Sequence, residues 1–341
     1  MGGHVSSSDA TTSTGIGGGA RFALGCLRAD GSTDFAAVIH EGSAIPLSDL
    51  TGGRHRSVKA LLASWSTQFP PLAATVDEVV RSGTWHEQSR PVAGFARLAP
   101  FRPGRIFQSG ANYRTHVEQL AVAKAVEEGV TDLEPLRAAA AARMRERIET
   151  GTPYIFTGLP SAVCGPDDDV VLPRTGKQHD WELELGVVIG DRPRTVDRTN
   201  ALDAVAGYVM VNDLTTRDRV YRPDVPALGT DWFAAKNAPT FLPLGPFLVP
   251  AAFVEDPMDL RITLDLDGQR MQDAATSDMI FDIPRLLEHV ASITPLRPGD
   301  LLATGSPAGN GAHYGRYLQP GDVIEARITG LGTQRNRCVQ C

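Results

Sequence analysis

The sequence predicts an α+β fold that is mostly β, and three observations carry that expectation. From residue 152 onward the chain is a succession of short apolar segments: "DVVLP", "ELELGVVIG", "AGYVMVND", "FLVP", "LRITLDLDG", "LLATG" and "DVIEARITGLG". Each has the length of a strand. Turn-forming clusters such as "GPDD", "RPGD" and "QPGD" separate them. Only "IFDIPRLLEHVASI" shows clear amphipathic-helix spacing in this half, so the strand–helix alternation of a doubly wound sheet is missing.

Taken in order, residues 1–20 are rich in Ser, Thr and Gly and read as a disordered leader. "MGGHVS" also fits a loose myristoylation pattern through Gly2 and Ser6, but the composition accounts for it more simply. Residues 21–100 form a small N-terminal β/α unit. "RFALGCL", "FAAVIH" and "AIPL" read as strands, and "SVKALLASW" and "TVDEVVRSG" as short amphipathic helices, before the Pro-rich "LAPFRPGR". The main domain is expected over residues 105–335. Within it, residues 119–152 ("QLAVAKAVEEG", "LEPLRAAAAARMRERIE") are dominated by strong helix formers with a weak apolar stripe. They read as a peripheral helical insertion, either a lid or an oligomer contact.

The chain has 341 residues, 42% of them hydrophobic, enough for a sizeable core. A formal charge of −7 argues against a nucleic-acid partner, which calls for clustered Lys and Arg. No apolar stretch reaches the roughly 20 residues of a membrane span, and no basic-then-apolar leader is present. A cytoplasmic protein is therefore expected. Four cysteines make no disulfide framework. Cys338 and Cys341 form a CxxC, but zinc would need a second ligand pair, and a prenylation box would need an aliphatic residue at Gln340. The tail is expected to fray.

The chemistry is expected in "HDWELELGVVIG". On an extended strand Glu182 and Glu184 share a face with Asp180, opposite Trp181, Leu183, Leu185 and Val187. A solvated sheet face shows the same alternation. A second carboxylate at a strand end changes the balance: "GYVMVNDLTTRD" runs apolar through Val211 and stops at Asn212 and Asp213. Three carboxylates without nearby Cys or His point to a hard cation, Mg²⁺, or else Mn²⁺ or Ca²⁺. The segment "GSPAGNG" lacks the Gly-Lys-Ser/Thr of a nucleotide loop. It reads instead as a turn whose N–H groups, from Gly305 on, could hold a substrate carboxylate beside Thr304.

On these residues the chain resembles the fumarylacetoacetate hydrolase family. The matching stretches, in the family's order, are "GANYRTHVE", "DWELELGVVIG", "GYVMVNDLTTRD", "DWFAAKNAPTFLPLGP", "DGQRMQDAATSDMIFDI", "LRPGDLLATGSPAGNG" and "YLQPGDVIEARITGLG". The resemblance implies a C-terminal mixed β-roll, usually a homodimer, with Mg²⁺ or Mn²⁺ on Glu182, Glu184 and Asp213. It implies hydrolytic C–C cleavage of a 1,3-diketone or acylpyruvate-type keto acid. His116 would be the general base, Lys236 an oxyanion stabiliser, and Tyr113, Arg217, Gln272 and Thr304 would line the pocket. Arg217 and Asp218 equally suit an ion pair supporting Asp213, and Gln272 and Thr304 could serve backbone groups.

Three departures bear on the reaction. Hydrolytic members usually carry a glutamate three residues after the motif histidine. Here that position is Gln119, with Glu118 one place early, where it could substitute only on an irregular backbone. Gly158 stands where a lysine is expected, and Val220 where a glutamine is. These changes keep two alternatives open beside the hydrolase: enolate chemistry without water (a decarboxylase, isomerase, dehydratase or cyclase), and a non-catalytic binding protein.

Overall fold

The computed structural model describes residues 21–341 except 128, 131, 133 and 194. The expected leader lies outside the described residues. The N-terminal unit is a five-stranded antiparallel sheet built on the meander Ala23–Arg28, Phe35–His40 and Ser43–Pro46. Ala96–Leu98 closes one edge and Arg90–Pro91 the other. The helix Val58–Leu62 is present as expected. The segment "TVDEVVRSG" is not a separate helix. It is the end of a 17-residue helix, Trp65–Arg81, that runs through Pro70 and Pro71. Prolines inside a helix normally end it, at about 3 kcal/mol each. Here burial of Trp65, Leu72 and Val76 along one face offsets that cost.

The main domain contains a six-stranded sheet in the order Val249–Pro250, Val205–Asn212, Leu183–Ile189, Leu301–Ala303, Ile106–Gly110, Tyr154–Gly158. All pairs are antiparallel except Leu301–Ala303 with Ile106–Gly110. One face presents Val188, Val209 and Leu301 to the N-terminal unit, where Leu61, Leu62 and Trp65 pack against them. The other presents Leu183, Leu185 and Val187 to a five-stranded sheet carrying Ile262, Leu264, Ile324 and Ala326. The expected late helix is Ile283–Ile293, capped by Asp282 and burying Ile283, Leu286, Leu287 and Val290.

Two expectations are corrected. The C-terminal tail does not fray: Gly332–Gln340 is a strand, paired on one side with Val323–Ile328 and on the other with Val170–Leu172. Cys338 is fully buried in the larger core, and only Cys341 is exposed. The pairing partner of Cys338 is Val170, which no local pattern in a polar nonamer reveals. Cys338→Ser is therefore expected to cost about 1–3 kcal/mol for a buried, unpaired hydroxyl. Cys341→Ser should stay within about 0.5 kcal/mol. Urea denaturation of both variants reads the difference.

The helical insertion also starts earlier than expected. Its helices are Arg114–Glu127 and Glu134–Thr150. The first opens where Thr115 N–H donates to Asp278 Oδ2 (3.1 Å), so the capping group comes from a distant segment. The second buries Met144 in the larger core, and Arg285 binds the carbonyls of Ile148 and Gly151 near its end. Among the described residues no helix is long and apolar enough to cross a membrane.

Candidate metal centre

The central strand pair builds the site. Glu184 lies opposite Val211, and Leu183 opposite Asn212, so Glu184 projects from the sheet face that carries Val209 and Val211. Glu182 and Asp213 sit just beyond the strand ends, joined by a hydrogen bond from Asp213 N–H to Glu182 O (2.8 Å). Asn212 Oδ1 accepts from Glu182 N–H (2.9 Å), tightening the same junction. Carboxylate oxygens of Glu182, Glu184 and Asp213 thus come within 4.8 Å of one another, all buried. The solvated-face alternative for Glu182 and Glu184 is excluded by that burial.

Two cations hold the cluster. Lys236, at the end of the short helix Trp232–Lys236, is itself buried. Its Nζ donates to Glu182 Oε2 (2.6 Å), Asp213 Oδ2 (2.6 Å) and Asp213 O (3.0 Å). Arg217 reaches Asp180 Oδ2 and Glu182 Oε1, each at 2.7 Å. Burial would lower Lys236, but Asp213, Glu182 and Glu184 outweigh it and raise its pKa. Burial pushes Glu182 up, yet Arg217 and Lys236 hold it well below the usual carboxylate range. Burial pushes Asp213 up to about 6 against the pull of Lys236. Glu184 lies well above the ordinary value, through burial and then the charges of Asp213 and Glu182.

Those shifts test whether a divalent cation fits. Asp180, Glu182, Glu184 and Asp213 supply four negative charges against the two positive charges of Lys236 and Arg217. With all four ionised two would remain uncompensated, and the raised pKa values of Glu184 and Asp213 reflect that excess. Three converging carboxylates with a charge deficit of two suit Mg²⁺ or Mn²⁺. Among the described residues Glu184 accepts one hydrogen bond, from Gly305 N–H (2.7 Å), which leaves lone pairs free for a cation. Gly305 has φ +97°, and a Cβ there would meet Asn112 at 2.9 Å, so this contact requires glycine. Gly305 N–H is therefore engaged by Glu184.

The other expected residues divide into those facing the cluster and those serving the backbone. His116 is buried on the first insertion helix among Glu182, Arg217, Lys236 and His313, and burial lowers its pKa to about 4. No hydrogen bond joins its ring to Glu118 or Gln119 among the described residues. Gln119 Oε1 instead accepts from Gly309 N–H (3.2 Å). The regular helix leaves Glu118 off the histidine's face, so neither residue orients the imidazole. Tyr113 is fully buried, its hydroxyl beside Thr304 and Glu184.

Gln272 bridges Leu183 N–H, Ser306 Oγ and Pro307 O, and Thr304 Oγ1 donates to Leu185 O. Both serve backbone and loop. Arg217 supports Glu182 rather than Asp213, and Asp218 does not pair with it. Asp218 accepts from Lys177 N–H (2.9 Å) and Gln178 N–H (3.3 Å).

Three contributors escape a reading of the motifs. Asp180 accepts from Gly311 N–H (2.6 Å) and Ala312 N–H (3.1 Å) as well as from Arg217, tying the loop after "GSPAGNG" to the centre. Asn112 bonds Phe281 O and N–H and Thr304 O. Gln108 Nε2 donates to Asp213 Oδ1 (2.5 Å). Its one sequence signal is a polar residue inside the otherwise apolar "RIFQSG". A cleft of about 440 Å³ lies beside the centre rather than at it, lined by residues that include Phe156, Leu159, Leu228, Trp232 and Phe233. Phe156 and Trp232 stack at 4.9 Å, and Lys236 Nζ lies 5.6 and 5.8 Å from their ring centroids.

Comparison with known proteins agrees with this architecture. The family described as fumarylacetoacetate (FAA) hydrolase C-terminal matches residues 105–339. A 2,4-didehydro-3-deoxy-L-rhamnonate hydrolase of Sphingomonas sp. (strain SKA58) is 44% identical over 188 residues, 54% of this chain. The match spans 64% of that relative's length. Among solved structures, a probable 2-hydroxyhepta-2,4-diene-1,7-dioate isomerase from Mycobacterium abscessus has TM-score 0.69 and 27% identity, covering 94% of this chain and 99% of its own. Maleylpyruvate hydrolase from Sphingobium sp. SYK-6, in complex with manganese(II) and pyruvate, has TM-score 0.67 and 25% identity, covering 93% and 99%.

Proposed function

Because the chain belongs to the fumarylacetoacetate hydrolase family, we propose that it is a divalent-metal-dependent hydrolase of an acylpyruvate-type acid. The reaction is R–CO–CH₂–CO–COO⁻ + H₂O → R–COO⁻ + CH₃–CO–COO⁻ + H⁺. The observation that carries this reading is the buried convergence of Glu182, Glu184 and Asp213 with two negative charges left uncompensated. Those three residues would hold Mg²⁺ or Mn²⁺, which supplies Lewis-acid polarisation of the substrate's keto group.

The remaining chemistry belongs to the side chains. His116, neutral near pH 7 because burial depresses its pKa, accepts a proton from water as the oxygen adds to the acyl carbonyl. Lys236 holds its ammonium at the junction of Glu182 and Asp213, all three N–H donors engaged there, so it stabilises the developing oxyanion through its charge alone. When the C–C bond breaks, its electron pair passes to the pyruvyl CH₂, conjugated with the neighbouring keto group. The proton on His116 is delivered to that carbon. His116→Asn is expected to lower kcat by about 10²–10⁴-fold while leaving Mn²⁺ uptake unchanged. The test is pyruvate release from a panel of acylpyruvates in the presence of Mg²⁺ or Mn²⁺. No turnover on any of them by metal-loaded protein ends the hydrolase reading.

One observation favours a second reading. Among the described residues no hydrogen bond joins the imidazole of His116 to a carboxylate, and burial outweighs the charge of Glu182, which suits proton transfer without water activation, as in an isomerase or decarboxylase. Incorporation of ¹⁸O from water into the carboxylic product separates the two. We also expect a homodimer, to be read by light scattering.

A further inference from the structure

We propose that Gln108 is a positioning residue that aims Asp213 into the metal centre, and that residue 158 is glycine so that this amide has room. The inference rests on the metal-dependent reading above and extends it to two positions outside the ligand set. Gln108 lies on Ile106–Gly110, opposite Phe156 and two pairs away from the Ile106–Gly158 match, on the same sheet face. Its amide lies between Gly158 on one side and Asp213 on the other. A carboxylate only accepts, so the nitrogen is the atom facing Asp213 Oδ1. Asp213 is then clamped at both oxygens, Oδ1 by Gln108 and Oδ2 by Lys236.

The other end of the amide explains Gly158. Gln108 Oε1 points at residue 158, where a Cβ would overlap Oε1 and lie 3.1 Å from Cδ. No side chain fits there while the amide holds Asp213. That same oxygen is buried and has no hydrogen-bond partner. An orphaned buried acceptor costs about 1–3 kcal/mol, and methionine would fill the same volume without it. The tolerated cost marks Gln108 as a donor to Asp213 rather than a space filler. Charge adds a second reason. A neutral amide leaves the deficit of two negative charges intact, whereas a lysine reaching in from residue 158 would cut it to one. Gly158 thus leaves the room that the Gln108 amide occupies.

The test is Mn²⁺ affinity of the full chain, measured by the EPR signal of free Mn²⁺, with metal-free melting as the folding control. Gln108→Met keeps the volume and removes the donor. It is expected to weaken Mn²⁺ binding by about 10–100-fold with metal-free melting within a few degrees of wild type. Gly158→Ala is expected to weaken binding comparably, by forcing the amide away. In a Gln108→Ala background, Gly158→Ala should cause no further loss, because the obstructing amide is gone. Wild-type affinity in Gln108→Met, or losses that multiply in the double variant, overturns the inference while the metal-dependent reading stands. A wild type that takes up no Mn²⁺ overturns both. Should Gln108→Met fail the melting control, the Gly158→Ala comparison across the two backgrounds decides alone.

Discussion

Arg217→Met is expected to destabilise the protein by about 3–5 kcal/mol, the range for removing one partner of a buried ion pair. Among the described residues Arg217 is the only charged donor to Asp180, which is fully buried, and it also bonds Glu182. Asp180 has further donors in the N–H groups of Trp181, Gly311 and Ala312. Even so, burial already raises its pKa with the guanidinium in place. Without Arg217 a full negative charge would remain in the core beside Glu182. Arg217→Lys should recover only part of the loss, since a point charge cannot span both carboxylates as the planar fork does. Arg217→Met with Asp180→Asn should recover more than Arg217→Met alone, because the stranded charge is gone. Urea denaturation of the four proteins gives the ordering, and equal stability of Arg217→Met and wild type would refute the account.

Glu184→Gln carries the largest expected effect on function, with opposite signs in two measurements. At neutral pH the metal-free protein should become more stable. In the wild type Glu184 is held at a cost, its pKa raised by burial and by the charges of Asp213 and Glu182, and the amide removes that charge. Each kcal/mol recovered corresponds to a rise in melting temperature of about 2–4 °C for a chain of this size. The direction follows from the raised pKa: the penalty appears as pH climbs above the ordinary carboxyl value, so the gain from Glu184→Gln should shrink toward acid pH. With Mn²⁺ present the order should reverse. Wild type gains about 2.7 kcal/mol at a hundredfold excess of metal over Kd, and the variant, lacking one ligand, should gain little. Turnover should fall at least a thousandfold. A variant that is destabilised without metal, or that keeps wild-type Mn²⁺ affinity, would show that Glu184 is not strained toward a cation.

Legibility varied along the chain for physical reasons. The strands of the main domain were readable because burial on both faces writes continuous apolar runs, as in Leu183–Ile189 and Val205–Asn212. The final strand was not. Gly332–Gln340 alternates exposed polar residues with buried Gln334, Asn336 and Cys338; its first part pairs with the neighbouring Val323–Ile328, and its last three residues are held by Val170–Leu172, more than 150 residues earlier. The helix through Pro70 and Pro71 ran against local propensity because Trp65, Leu72 and Val76 had a face to bury against.

The sequence by itself determined the fold class, the family resemblance and the three carboxylates, since residue type and two-residue spacing are local facts. Tertiary structure alone decided which charges meet. It put Arg217 on Asp180 and Glu182, turned Gln119 to Gly309, and brought Gln108 to Asp213. Hydrogen bonds and ion pairs act over about 3 Å, and residues a hundred positions apart reach that distance only when sheets and loops close around them.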